Sequence, residues 1–444
     1  MYKKNLLSTM VLSAIFFSGC GGSSNEGVNN VGSNLISATV IDDINASTML
    51  SIVKAKIDPN ALNAFGYKAI KIVYKTKGQN DEDINASGLL VIPSATKEYN
   101  DYRVSQGQSQ FSISMICDNH GTIFANDEAP SNVEVENGMP DYSVAVAATG
   151  YAGFALVAPD YIGYGESNGT VHPYMLEKAS ARASLDMINA AQRYMTDNNI
   201  LFNGQLFISG YSQGGYTAMA LAKEIEQNHS NQYKIMGLAP MAGPYDLKAL
   251  ADIELDANHT MVYPAFLADL GNGYANYYNN DITLDTILAS NIDKTTFPTL
   301  FNGDYNEYEI HAALGFTENL GFNTYKANKL FQDNFINDYQ NNANNIFKEK
   351  LEENSVYNWT PRTKINLIHC SDDEIIPFSM SQTAYDTFLA NGVDSSNITL
   401  TTLPTAILSQ QQDLTHPFVH ANCAKEAYGV ALDWFNKIRI GEIK

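Results

Sequence analysis

The apolar residues of this chain first form short, β-branched runs and later alternate with longer stretches of helical spacing. Short runs flanking a polar loop predict a hairpin, and apolar positions that recur every three to four residues predict helices. The predicted strands lie at residues 69–74, 88–92, 111–117, 154–158, 206–209, 234–239, 365–369 and 398–403. The predicted helices lie at residues 141–149, 176–194, 215–227, 379–390 and 424–438. Because strands and helices alternate from residue 154 onwards, we expect an α/β fold with a mostly parallel central sheet and helices on both faces.

This alternation breaks between about residues 243 and 361, a stretch that is rich in Asn and Tyr. Apolar residues such as Phe266 and Leu270 keep helical spacing there. Since the strand pattern resumes afterwards, we interpret the stretch as a helical cap inserted into one domain that spans residues 36–444. The aromatic residues of this cap either line a substrate pocket or form the core of the cap itself.

The N-terminal segment has the layout of a bacterial export signal. Lys3 and Lys4 precede an uncharged, mostly apolar run at residues 6–17, and small residues follow it. The run is too short to remain as a membrane-spanning helix. The residues that end at Cys20 resemble the lipobox of bacterial lipoproteins; the alternative is an ordinary signal peptide with an incidental cysteine.

We therefore predict a signal peptide at residues 1–19 and a lipidated tether at residues 20–35, with Cys20 as the acylated residue. The tether is rich in Gly, Ser and Asn, a composition typical of flexible linkers. Gly21 stands where lipoproteins of the inner membrane commonly carry Asp. We expect an exported lipoprotein held on the outer membrane through its lipid anchor, at the periplasmic or the cell-surface face.

The charge balance is strongly acidic, with 48 Asp and Glu against 27 Lys and Arg. Because such a chain repels phosphate backbones, we exclude nucleic acid as a partner. The cysteines and histidines lack the spacing of zinc ligands, so we expect no metal. We also expect no cofactor. The sequence does not indicate an oligomeric state.

Two segments fit the pattern Gly-x-Ser-x-Gly, at residues 165–169 and 210–214. A serine nucleophile of this type needs a tight turn between a strand and a helix, where the helix N-terminus favours developing negative charge. Ser212 has a predicted strand before it and a predicted helix after it. Ser167 follows a glycine-rich loop, and no helical pattern begins directly after it. We therefore expect Ser167 to be a loop serine near the site. Ser212 is thus the candidate nucleophile of an α/β-hydrolase fold.

In that fold the acid follows the nucleophile along the chain and the base comes last. The strand at residues 365–369 leads into Asp373, which we expect to be the acid, with Asp372 as the alternative. For the base we expect His420, placed just before the last helix with Asn422 as its N-cap. His416 is the alternative base. If it is not the base, we interpret it as a histidine of a surface turn, because Pro417 follows it.

Two further features belong to the candidate site. The oxyanion of the tetrahedral intermediate needs backbone N–H donors, for which we expect Gln213 and the loop at Gly121 and Thr122. Cys370 and Cys423 lie beside the candidate acid and base, whose side chains must meet. These cysteines are therefore either bridged in a disulfide or two buried thiols.

Taken together, the motifs resemble those of bacterial secreted α/β-hydrolases related to the secretory lipase family. The resemblance spans most of the chain after the tether. Its segments are Tyr74-Lys75-Thr76, Ala86-Ser87-Gly88, His120-Gly121-Thr122, Ala129-Pro130-Ser131, Pro159-Asp160-Tyr161-Ile162-Gly163-Tyr164-Gly165, Gly210-Tyr211-Ser212-Gln213-Gly214-Gly215, Asn354-Ser355-Val356, Trp359, Cys370, Asp373-Glu374, His420-Ala421-Asn422-Cys423 and Ala431-Leu432-Asp433-Trp434-Phe435. The resemblance implies hydrolysis of a small-molecule ester or lipid beneath a helical cap, and it supports Asp373 and His420 over their neighbours.

Two other functions stay open from the sequence alone. A peptidase of the same fold would use the same three residues. A non-catalytic envelope lipoprotein could keep the fold as a binding module, although the intact order of serine, acid and histidine argues against this hypothesis.

Overall fold

The computed structural model describes residues 34–94, 101, 103–107, 112–132, 135–136, 139–140, 143–316, 325–404 and 419–443. The predicted signal peptide, Cys20, most of the predicted tether and His416 therefore lie outside the described residues. Within these ranges, the helices are all too short or too polar to span a bilayer.

The centre of the fold is a sheet of nine strands. The strands of the chain, including a separate short pair formed by β5 and β6, are β1 (Leu35–Ile44), β2 (Gly66–Lys77), β3 (Asp83–Ser94), β4 (Ile113–Asn119), β5 (Val135–Glu136), β6 (Met139–Pro140), β7 (Ala155–Pro159), β8 (Phe202–Tyr211), β9 (Ile235–Met241), β10 (Ile365–Cys370) and β11 (Ile398–Leu403). The order across the large sheet is β1-β2-β3-β7-β4-β8-β9-β10-β11. Pairing is antiparallel from β1 to β7 and parallel from β7 to β11. The prediction of a mostly parallel sheet is confirmed.

Helices cover both faces of this sheet, and further helices form an insertion between β9 and β10. They are α1 (Ala46–Lys56), α2 (Ser143–Ala145), α3 (Glu177–Asp197), α4 (Gln213–Asn228), α5 (Leu247–Glu254), α6 (Pro264–Tyr277), α7 (Leu284–Ile287), α8 (Glu307–Ala313), α9 (Asp333–Asn341), α10 (Ile346–Glu353), α11 (Ser379–Ala390) and α12 (Val419–Arg439). In β4, alternate side chains such as Met115 and Ile116 enter two different cores, as the two-residue period of a strand requires. One core packs against α3, α4 and α11, and the other packs against α1 and α12.

Helices α5 to α10 lie between β9 and β10 and form the inserted cap. The cap shares the larger apolar core with the body, because Phe297, Phe331 and Tyr339 of the cap belong to the same buried cluster as Leu238 of β9. The predicted helical insertion is therefore confirmed as part of the fold.

Several of the described elements differ from the prediction. The sequence analysis missed β1, an edge strand whose side chains are mostly half-buried, and α1, which packs against β2 and against the segment Val146–Tyr151. The helix predicted at residues 141–149 is instead a single α turn, α2, that continues as a π-helix over Val146–Tyr151. A pattern of apolar spacing cannot separate these helix types.

Candidate active site

Ser212 lies on a sharp turn between β8 and α4. Its φ of 59° is in the left-handed region, which costs energy for any residue other than glycine. Two glycines make the turn sterically feasible. A Cβ on Gly210 would overlap the carbonyl of Gly214, and a Cβ on Gly214 would overlap the carbonyl of Asn119. This strained turn places Ser212 at the carboxyl edge of the sheet, before the N-terminus of α4.

The ring of His420 bridges Ser212 and Asp373. Its Nε2 lies 2.9 Å from Oγ of Ser212, and its Nδ1 lies 2.7 Å from Oδ2 of Asp373. The imidazole ring and the carboxylate are both buried, since His420 and Asp373 are each 7% exposed. The alternative acid, Asp372, is exposed and hydrogen-bonds to its neighbour Ser371. The structure thus brings together the three residues expected from the sequence.

The Asp373 carboxylate accepts four hydrogen bonds. The backbone N–H groups of Ile375 and Ile376 donate to Oδ1 over 3.0 and 2.8 Å. On Oδ2, His420 at 2.7 Å is joined by Nε2 of His369 at 3.2 Å. Burial alone would raise the pKa of Asp373, but the charge of His420 and the bonds from both rings outweigh it and hold the pKa well below its usual range. The acid therefore remains ionised.

The backbone of His420 is held by two further side chains. The hydroxyl of Tyr211 donates to the carbonyl oxygen of His420 over 2.7 Å. A carboxylate oxygen of Glu374 accepts from the backbone N–H groups of Val419 and His420 at 3.1 and 3.4 Å. The expectation that Asn422 caps the last helix is wrong, because α12 already includes Val419 and His420. Glu374 satisfies these first-turn donors instead, as a carboxylate at a helix N-terminus can.

A disulfide joins Cys370 at the end of β10 to Cys423 in α12, with an S–S distance of 2.03 Å and a Cα–Cα distance of 6.2 Å. Each cysteine lies three residues from a member of the Asp373–His420 pair. The bridge therefore fixes the loop that carries the acid against the helix that carries the histidine. Cys117 is a buried free thiol.

The predicted oxyanion loop lies against the nucleophile. A Cβ built on Gly121 would stand 3.5 Å from the carbonyl oxygen of Tyr211 and 3.8 Å from Cβ of Ser212. The hydroxyl of the neighbouring Thr122 is 2.9 Å from that of Tyr174, which ties the loop to the segment before α3. A Cβ there would make only ordinary van der Waals contacts, so the loop packs directly against the turn that carries Ser212.

Gln213, the second predicted donor, is the first residue of α4. Its side-chain amide lies 2.8 Å from Nε2 of His172, whose Nδ1 is 2.7 Å from the carbonyl oxygen of Ile162. A carbonyl can only accept, so Nδ1 of His172 carries the proton and Nε2 accepts from Gln213. Burial lowers the pKa of His172 to about 4, consistent with a neutral ring. The side chain of Gln213 is thereby held away from the nucleophile, while its backbone N–H stays at the helix N-terminus.

Ser167, the other candidate nucleophile, has its hydroxyl engaged in a buried turn. It accepts from the backbone N–H of Gly163 at 3.0 Å and donates to the carbonyl oxygen of Tyr164 at 2.8 Å. Such a hydroxyl stabilises the loop and is not free to attack a substrate.

A narrow apolar cavity of about 70 Å³ reaches Ser212 from beneath the cap. It is lined by Tyr174, Met175, Ser212, Pro244, Leu247, Leu250, Ala251, Glu254, Val262, Tyr263, Phe266, Leu267, Leu270, Ile375 and Ile376. Most of this lining comes from α5, α6 and the segment between them, so cap and body share the cavity.

The sequence analysis missed two polar residues around the acid, His369 and Glu374. His369 was interpreted only as the end of a strand, although its position four residues before Asp373 could have been noticed. Among the described residues, groups of three or more His, Cys, Asp or Glu that could hold a metal ion are absent.

Comparison with known proteins identifies the family of this chain. The model of the family described as secretory lipase matches residues 141–437. Curated protein sequences give no match. The fold is similar to that of the rice cell wall degrading esterase LipA from Xanthomonas oryzae, with 22% identity and a TM-score of 0.75 over 90% of this chain and 97% of LipA. It is also similar to that of Candida antarctica lipase A, with 15% identity and a TM-score of 0.55 over 84% of this chain and 78% of the lipase. Because the family model matches more than half of its length, the chain belongs to the secretory lipase family and is a carboxylic ester hydrolase.

Proposed function

We propose that this hydrolase cleaves esters through an acyl-enzyme, with Ser212 as nucleophile, His420 as general base and Asp373 as supporting acid. One observation carries the proposal: a single imidazole lies within hydrogen-bond distance of both the serine hydroxyl and the buried carboxylate. Nucleophile, base and orienting acid in contact are the arrangement that activates a serine.

In this mechanism Oγ of Ser212 attacks the acyl carbon while its proton passes to Nε2 of His420. Asp373 keeps the other ring proton on Nδ1 and stabilises the imidazolium that forms. The backbone N–H groups of Gln213 and Thr122 donate to the oxyanion. The leaving alcohol takes the proton from His420, and a water molecule activated by the same ring then hydrolyses the acyl-enzyme.

The lining of the cavity favours an apolar acyl group. Apart from Ser212, Glu254 and two tyrosine hydroxyls, the side chains around it are apolar. At about 70 Å³ the cavity is smaller than the roughly 300 to 1,000 Å³ typical of ligand pockets. An acyl chain therefore fits only when the cap moves away from the body, as lids of hydrolases do.

We further propose that the protein is exported and anchored in the outer membrane by acylation of Cys20. Membership of the secretory lipase family supports export, and the lipobox-like residues before Cys20 support the anchor. Metabolic labelling with a palmitate analogue should mark the wild-type protein but not Cys20→Ala. Labelling of that variant would reject the anchor.

The proposed nucleophile can be tested with a fluorophosphonate probe, which modifies activated serines. The wild-type protein and Ser167→Ala should be labelled, whereas Ser212→Ala should not. Ser167→Ala is the matched control because it alters the other Gly-x-Ser-x-Gly segment. Labelling that persists in Ser212→Ala, or a wild-type protein that is never labelled, would contradict the proposal, and the second result would favour a binding module.

Measurements of turnover distinguish an esterase from a peptidase of the same fold. Nitrophenyl esters of graded chain length, assayed beside peptide amides, should be hydrolysed in preference to the amides. Turnover of the amides alone would identify a peptidase.

A further inference from the structure

His369 is a second imidazole on the Asp373 carboxylate. Its side chain, in β10, is completely buried. Its Nε2 lies 2.9 Å from the carbonyl oxygen of Ile376 and 3.2 Å from Oδ2 of Asp373, and its Nδ1 lies 2.8 Å from Oγ of Ser381. The oxygen it contacts is the same one that binds His420.

These contacts determine which ring nitrogen carries a proton. The carbonyl oxygen of Ile376 can only accept a hydrogen bond, so Nε2 of His369 must be the donor. The same proton is shared with Asp373, which is ionised and also accepts. The hydroxyl of Ser381 can donate to Nδ1, so every polar atom of the ring has a partner.

We propose that His369 is a positioning residue of the active site, whose Nε2–H orients the Asp373 carboxylate and limits how strongly it attracts the proton of His420. The inference rests on the proposed function, since it assigns the role of base to His420. A donor on Oδ2 draws negative charge away from the contact with Nδ1 of His420. Without that donor, Asp373 holds the imidazolium form of His420 more firmly, and the free base forms only at higher pH.

Two amide substitutions separate this role from simple packing. In His369→Gln, the side-chain NH2 can occupy the place of Nε2 and reach Asp373. In His369→Asn, the shorter amide corresponds to Nδ1, so it can contact Ser381 but not Asp373. Both variants put a neutral polar group in the same buried place.

The first readout is the pH at which kcat/KM falls on the acidic side, measured with a nitrophenyl ester. The second is the titration of the His420 ring by NMR in the folded protein, which needs no turnover. Both midpoints should rise by roughly 0.5 to 1 pH unit in His369→Asn. His369→Gln should restore them to near the wild-type value.

Among the described residues, the further titratable groups that interact with this cluster are Tyr211, Tyr245, Tyr263 and Glu374. Both variants leave them in place, so the comparison isolates the donor at Nε2. A folded His369→Asn whose His420 titrates as in the wild type would overturn the inference and leave His369 a packing role. A wild-type protein without esterase activity would instead reject the proposed function, while the NMR titration would still report on His369.

If neither variant folds, the wild-type protein still provides a test. The 15N chemical shifts of the His369 ring show which nitrogen is protonated. A proton on Nε2 is expected, and a ring protonated only on Nδ1 would overturn the inference.

Discussion

Two adjacent carboxylates show how environment assigns a role to a single residue. Asp373 is buried and accepts four hydrogen bonds, two of them from imidazoles, whereas Asp372 is exposed. The first environment places a carboxylate against Nδ1 of His420, and its hydrogen bonds keep that carboxylate ionised in spite of burial.

Asp373→Asn should lower kcat by about three to four orders of magnitude, because an amide no longer favours the proton on Nδ1 of His420. Asp372→Asn is the neighbouring control and should keep most of the activity. Steady-state kinetics with a nitrophenyl ester would measure both. An equally large loss in Asp372→Asn would transfer the role of the acid to that residue.

Asp269 is a buried carboxyl outside the proposed machinery. It lies in α6 with 1% of its surface exposed, and its two carboxyl oxygens have no hydrogen-bond partner among the described residues. Burial raises its pKa well above the usual value near 3.8. The folded protein therefore keeps this carboxyl protonated over a pH range in which the unfolded chain has already ionised it.

A raised pKa of this kind gives stability that is present below about pH 3.8 and is lost as the pH rises through the folded-state value. Asp269→Asn removes this titration. The free energy of unfolding of the variant should therefore increase relative to that of the wild type as the pH rises. The advantage of the variant should be larger at pH 8 than at pH 4.5. Urea denaturation at both pH values measures it.

The exposed Asp281 provides the matched control. Asp281→Asn should show a difference between the two pH values that stays close to that of the wild type. If Asp269→Asn behaves in the same way, Asp269 is already ionised at pH 4.5 in the folded protein.

At the scale of single elements, α5 forms one wall of the cavity. Leu247, Leu250, Ala251 and Glu254 are spaced i, i+3, i+4 and i+7, so they form one stripe of the helix, and all four line the cavity. The stripe extends about 10 Å at about 1.5 Å per residue. Its first residue is Leu247 and its last is Glu254, and both border the cavity that contains Ser212. We infer that the acyl chain lies along this stripe and that the small side chain of Ala251 leaves room for it.

Ala251→Phe should therefore shift the preference towards shorter acyl chains. Each methylene group that can no longer be buried costs about 0.8 kcal/mol, so the ratio of kcat/KM for octanoyl over butanoyl esters should fall by about tenfold or more. Ala249→Phe, on the same helix but outside the cavity lining, is the matched control and should leave the ratio nearly unchanged. An unchanged ratio in Ala251→Phe would place the acyl chain elsewhere.

Elements with strong local signals were predictable from the sequence. The turn at Ser212 combines a strand, glycines that sterics require and a helix, and the helix at Ser379–Ala390 and the strand at Ile398–Leu403 have their predicted bounds. The start of α12 was wrong, because the donors of its first turn are satisfied by Glu374, which is remote in sequence. His369 was missed for a different reason: it lies only four residues before Asp373, but it was interpreted only as the end of a strand.

At the scale of the whole molecule, the two halves of the site come from opposite sides of the cap insertion. Ser212 and the oxyanion loop precede the cap, whereas Asp373 and His420 follow it. Parallel pairing of β8 with β9 and of β9 with β10 joins the halves, because the carboxyl ends of these strands then meet at one edge. The disulfide adds a covalent restraint within the second half, between β10 and α12.

Removal of this bridge should affect both stability and catalysis. Its cysteines are 53 residues apart in sequence, and closing a loop of that length stabilises a protein by about 4 kcal/mol in the chain-entropy treatment. The variant Cys370→Ala/Cys423→Ala should therefore unfold at a clearly lower temperature. It should also show a lower kcat, because Asp373 and His420 lose the restraint on either side of them. Cys117→Ala, which leaves the bridge intact, is the control, and equal melting temperatures for the two variants would show that the bridge does not stabilise the fold.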